Sequence, residues 1–97
     1  MEYNFEWDPV KAGDNLRKHR VSFERATEVF LDPFGLSLFD RRHSRTEERW
    51  ITLAKDWNDV LLVVVHTFRE IDNENSNIRI ISARKATRRE AKQYSAR

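Results

Sequence analysis

An apolar run from Ile78 to Ala83 leads directly into Arg84-Lys85 and then Arg88-Arg89, so cations able to hold an anion stand at the end of a segment suited to burial. Between Arg84 and Arg97 there are six Lys or Arg against one Glu, a local charge of +5 in a chain whose total is +2. A guanidinium is a fixed cation whose planar fork fits phosphate oxygens, and with a pKa above ~12 it neither gives nor takes a proton near neutrality. Proton transfer therefore needs another side chain. His66 lies late in Val60 to Phe68, the most strand-like run, where a sheet would hold it near Arg69 and the Arg79 to Arg84 segment, and its ordinary pKa suits it as base or acid. The alternative is a strand histidine hydrogen-bonded into the core. Strict alternation puts His66 and Arg69 on opposite faces unless the strand bulges or ends between them. It also gives Arg79 and Arg84 opposite parities, so only one of that pair is expected to face an open cleft. Arg84 and Lys85 at the strand end are the safer phosphate contacts, against the alternative of two solvated cations. Arg88 and Arg89 extend the same positive stretch. Tyr94, one turn beyond Glu90, has the chemistry to stack on a base or position a phosphate, although an aromatic residue on an amphipathic helix more often buries against a sheet.

Holding these groups in place requires a sheet and its covering helices. Tyr3 to Trp7 alternates aromatic and polar residues, which predicts a short edge strand with Tyr3, Phe5 and Trp7 on one face. Asp8-Pro9 predicts a helix start, because the carboxylate caps free amides and proline at the first position sacrifices no bond. That helix is expected to reach about His19, with a narrow apolar stripe of Val10, Ala12 and Leu16. Ser22 is the expected cap of a second helix, whose Phe23, Ala26, Val29 and Phe30 recur at helical spacing until Asp32-Pro33 stops it. Gly35 to Asp40 and Trp50 to Trp57 read as a hairpin across the polar loop 41–48. Val60 to Phe68, a polar link Asp72 to Asn77 and the inner strand Ile78 to Ala83 follow. Thr87 and Glu90 have the spacing of a capping box, so a last helix should begin at Arg88, and capping accounts for Glu90 better than proton transfer does. The expected order is β-α-α-β-β-β-β-α. This is an α+β domain with a mainly antiparallel sheet, two N-terminal helices and a C-terminal helix, helices on one face and the other face open to a ligand.

Ninety-seven residues make a single domain, 1–97, with one modest core. Three Trp and six Phe, with 35% charged and 39% hydrophobic residues, describe a folding globular chain. Without cysteine, disulfides, thiolate metal sites and cysteine catalysis are excluded. The N-terminus lacks the basic and apolar regions of a secretory signal, and no apolar run approaches membrane-spanning length, so a cytoplasmic protein with no membrane partner is expected. His43, near Asp40 and Glu47, has no second ligand at compact spacing. No metal site and no cofactor are expected, and the basic Arg41 to Arg45 stretch, diluted by Glu47 and Glu48, reads as a solvated loop.

Phe5-Glu6-Trp7-Asp8-Pro9, Asn15-Leu16-Arg17-Lys18-His19, Val21-Ser22-Phe23-Glu24, Glu48-Arg49, Val63-Val64-Val65-His66-Thr67 and the run Arg79-Ile80-Ile81-Ser82-Ala83-Arg84-Lys85-Ala86-Thr87-Arg88-Arg89-Glu90 follow one another along nearly the whole chain. Together they resemble the BrnT family of bacterial type II toxins, with Ile-Ile-Ser-Ala-Arg-Lys-Ala the most specific piece. The resemblance implies a RelE-like fold and ribonuclease activity that arrests translation. It also implies neutralisation in a hetero-oligomer by a BrnA-type ribbon-helix-helix antitoxin, through which alone operator DNA is bound. The chain departs from the family pattern at three places. Arg20 stands where a helix-ending glycine is expected, Phe68 where several members carry glutamate, and the link 70–77 is longer. On this reading RNA is cleaved without metal, with catalytic candidates His66, Arg69, Arg79 and Arg84 and RNA contacts at Lys85, Arg88, Arg89 and Tyr94. The competing reading is a non-catalytic module whose basic segment binds RNA, DNA or an acidic partner, since phosphate binding alone would account for the same charge.

Overall fold

Residues 2–96 are described by the structure, a computed structural model of the chain. Arg97, the last cation of the basic segment, lies outside them. Strand β1 (Glu2–Glu6) precedes helix α1 (Pro9–His19), whose first turn is closed by the Asp8 carboxylate accepting from the Val10 amide at 2.8 Å. Its last turn ends on Arg20 in the left-handed region (φ 58°), with the Arg20 amide donating to Leu16 O at 3.0 Å. An arginine thus holds the conformation for which glycine was expected. Ser22 caps α2 (Phe23–Glu28), which tightens into a single 3-10 turn over Val29–Leu31. Strands β2 (Leu36–Phe39) and β3 (Arg49–Lys55) form the expected antiparallel hairpin, and β4 (Leu61–Thr67) adds to β3. The capping box at α3 (Arg88–Ser95) is present in both directions, Glu90 N to Thr87 Oγ1 and Thr87 N to Glu90 Oε1.

The sheet differs from a plain meander in two respects. The link expected to be a loop is a second hairpin: β5 (Arg69–Glu70) pairs with the start of β6, and β6 (Asn75–Lys85) begins three residues earlier than the apolar run suggests. Asp72 accounts for the turn, its carboxylate accepting from the amides of Glu74 and Asn75. In addition, β1 joins β6 in parallel, giving the order β1-β6-β4-β3-β2. The chain between them supplies the long crossover that a parallel pair needs.

One face of this sheet carries the core. Ala54, Leu62, Val64, Ile78, Ile80 and Ala83 are buried there against Val21, Phe23, Ala26 and Val29 of the helical layer. Paired registers place Ile51, Leu53, Val63 and Val65 on the opposite face. There α3 covers only one end, held by Arg84 to Glu90 and by Lys55 over the Tyr94 ring at 5.6 Å. Among the described residues no helix is long and apolar enough to cross a membrane.

Strand β1 stops at Glu6, opposite Arg79, so beyond that point one edge of β6 has no strand neighbour among the described residues. Asn15, 6% exposed, completes it: Nδ2 donates to Ala83 O (2.8 Å) and to Val21 O (3.0 Å), and Oδ1 accepts from Ala83 N (3.1 Å). A side-chain amide thus substitutes for the missing strand and fixes β6 just before Arg84. Replacing Asn15 by Ala strands these buried groups and should cost roughly 2–4 kcal/mol, measured by urea unfolding. A loss within 0.5 kcal/mol would show that the edge is held by other means.

Candidate functional site

The geometry of the site begins with one extra residue in β6. Val65 pairs with Ser82 but His66 pairs with Ile80, so Ile81 is a bulge and the alternation of β6 reverses across it. Arg84 lies opposite Val63, and Arg79 opposite Glu6 of β1 with its amide donating to Thr67 Oγ1 at 3.2 Å. Both arginines therefore face the open side. The expectation that only one of them would do so is corrected, because strict alternation fails at Ile81.

At the β5 end, Glu6, Glu47, Glu48, Thr67, Phe68, Arg69, Asn77 and Arg79 line a cleft of about 450 Å³. Arg69 pairs across from Asn77, one row beyond Arg79. Arg79 is ion-paired with Glu47, which also lies 3.9 Å from Arg49. Arg49 opposes Thr67 and so shares this face, and its Nε is buried with no hydrogen-bond partner among the described residues. Arg49 and Glu47 escaped the sequence reading, which took 41–48 as a solvated loop; the signal available for them was the Glu48-Arg49 pair within the family resemblance. Among the described residues no three His, Asp or Glu side chains gather as a metal set.

The remaining cations do not share this hollow. Arg84 is about 13 Å along the sheet from Arg79 by strand rise and is gripped by Glu90 through two bonds, 2.8 and 2.9 Å. That guanidinium, with the Thr87 amide, holds the Glu90 carboxyl down to about 2, while Glu90 in turn raises the pKa of Arg84. Glu90 is thus ionised throughout the neutral range. Lys85, Arg88 and Arg89 are exposed beyond Arg84. Tyr94, for which both an RNA contact and a place in the core were expected, is half-buried and donates its hydroxyl to Asp32 at 2.7 Å, outside the Arg79 cleft. The cations run on from the cleft towards α3 as a track rather than a single pocket, with Lys85, opposite Leu62, at the parity of the helix-covered face.

His66 is separated from this track. It pairs with Ile80 on the helix-covered face, is 3% exposed, and meets Phe30 edge-on at 4.7 Å. Burial pushes its pKa down, against a smaller opposing effect of the Thr67 carbonyl. Its expected grouping with Arg69 and Arg79 is corrected: β4 and β5 keep one unbroken register from His66 to Arg69, and three residues of strict alternation place the two on opposite faces.

A family model described as "Ribonuclease toxin, BrnT, of type II toxin-antitoxin system" matches residues 7–90, a span holding every residue of the cleft except Glu6. The chain belongs to the BrnT family. As a BrnT toxin it is a ribonuclease of a type II toxin-antitoxin system, with RNA as substrate and an antitoxin as partner. The crystal structure of the Brucella abortus ribonuclease toxin BrnT superposes with a TM-score of 0.60, covering 91% of this chain and 100% of that one at 19% identity. That is a likeness of fold. Comparison with curated proteins gave no match. Within the BrnT match, β6, Arg79 and the Arg84–Glu90 pair form one continuous piece.

The Glu90 carboxyl has a lower pKa folded than unfolded, so between about 2 and 4.5 the unfolded chain binds the extra proton and stability rises with pH. Glu90→Gln should remove that part of the acid dependence, a difference of about 1–2 kcal/mol between pH 5 and pH 2, reduced by solvent screening of the half-exposed Arg84. Parallel stability–pH curves for the two proteins would contradict it.

Proposed function

We propose that the Arg69–Arg79 cleft is where this toxin cleaves RNA, without metal, and thereby arrests translation. The observation that carries this reading is the Arg79–Glu47 pair: a carboxylate already occupies the guanidinium fork that a phosphodiester would take. A phosphate entering between Arg79 and Arg69 displaces Glu47 from Arg79. Glu47, freed beside the bound nucleotide, accepts the proton of the ribose 2′-hydroxyl. The 2′-oxygen attacks phosphorus and the 5′-oxygen leaves with a proton taken from water in the open cleft, giving a 2′,3′-cyclic phosphate. Arg79 and Arg69 stabilise the charge gathering on the phosphate oxygens, and Arg49 steadies Glu47. Proton transfer is assigned to Glu47 and not to His66 because the imidazole points into the helical layer. Arg84, Lys85, Arg88 and Arg89 prolong the positive track for the RNA backbone. A BrnA-type ribbon-helix-helix antitoxin covering the open face would occlude this track, and operator DNA would be met through that antitoxin.

Purified protein incubated with RNA in EDTA should yield fragments ending in 2′,3′-cyclic phosphate. Arg79→Ala should slow cleavage by ~10²–10³ and Glu47→Gln by ~10². RNA bound without fragmentation in the wild type would favour the non-catalytic module. An undiminished rate in Glu47→Gln would take the proton step away from that residue.

A further inference from the structure

Behind His66 lies a second hollow that the cleavage chemistry does not use. About 320 Å³ in volume, it is walled by Tyr3, Phe30, Trp50 and Phe68, with Ser37, Thr52, His66 and Asp32 as its polar side. This is the lower end of the range for small-molecule pockets, with room for one planar ring system and none for a duplex.

Its polar groups are ordered in one direction. The Thr67 carbonyl can only accept, so His66 Nδ1, 2.9 Å away, carries the hydrogen. In the neutral ring Nε2 then accepts from the Thr52 hydroxyl at 2.6 Å, and Thr52, its hydrogen used, accepts from Ser37 at 2.7 Å. Ser37 Oγ is left with lone pairs only. Asp32 is likewise an acceptor, bound by Phe34 N, Lys55 N and the Tyr94 hydroxyl. The polar wall of an aromatic pocket therefore presents acceptors.

This hollow and the arginine cleft meet at Phe68, which lines both. Phe68 stands at the break between β4 and β5, and among the described residues β5 pairs with β6 alone, leaving its other edge free. The two hollows lie on opposite faces of the sheet and share only Phe68, at this edge.

We propose that the hollow behind His66 receives the base of one substrate nucleotide and selects bases with an amino group, adenine, cytosine or guanine, over uracil. Stacking on Trp50 or Phe68 accepts any base. The acceptor wall suits an exocyclic amine and opposes the two carbonyl oxygens that flank the single ring N–H of uracil. This deepens the ribonuclease reading and rests on it for the source of the base.

Two measurements test it. NMR titration of the labelled protein with 5′-AMP, 5′-CMP and 5′-UMP needs no turnover; shifts should concentrate at Ser37, Trp50, His66 and Phe68, with UMP weakest by about five- to tenfold. Shifts confined to Arg69 and Arg79, or equal affinity for all three, would overturn the pocket. Cleavage of RNAs varied at one position should show the same preference. Ser37→Ala should bring the ratio of the cleavage rates on amino-bearing base and uracil towards one. A preserved ratio in Ser37→Ala would refute the pocket even with full ribonuclease activity. Failure of the wild type to cleave any RNA would instead strike the ribonuclease reading and leave the titration to judge the hollow by itself.

Discussion

The extra residue at Ile81 is the constraint on which the open face depends. Strand β6 must pair with β4 through its whole length while presenting Ile78, Ile80 and Ala83 to the same buried layer. No unbroken alternation allows that, because Ile80 and Ala83 differ in parity. With the bulge, Arg79, Ser82 and Arg84 all turn to the open side. Without it, Arg84 would be driven among Leu62 and Val64, where a guanidinium would have to be desolvated against apolar side chains. Asn15 belongs to the same device: it satisfies Ala83 at the edge that β1 leaves bare and so holds the shifted segment in place.

Three arginine–carboxylate pairs tie the molecule together, and their surroundings separate their roles. The Asp56 side chain is fully buried and binds Arg25 together with the Asn58 and Val60 amides, locking the β3–β4 turn to α2. Glu90 serves two masters, the Arg84 fork and the Thr87 amide, so displacing it would uncap α3 as well. Glu47 has no capping duty and comes from a loop, with its side chain 36% exposed. Of the three, the Arg79–Glu47 pair is the one that can be broken at least cost to the fold.

Much of the scaffold was legible because it is local chemistry. Asp8-Pro9, Ser22 and the Thr87–Glu90 spacing mark helix starts through hydrogen bonds spanning two or three residues, and each is made as the spacing requires. The β2–β3 hairpin and the edge position of β1 follow from alternation. The opposition of His66 and Arg69 was legible for the same reason. Strand β5 was not, since Arg69-Glu70 has no apolar pattern and becomes a strand only through pairing with Ser76 and Asn77.

By itself, then, the sequence determined the helix caps, the α+β class, the buried strands and, through its ordered motifs, the BrnT family. Tertiary structure alone decided which cations share a surface. The parity of Arg84 depends on a bulge set by pairing with β4, and the partner of Arg79 comes from a loop 32 residues away in the chain. Local propensity carries no record of either, because a register shift and a long-range ion pair acquire their energies only when the strands meet.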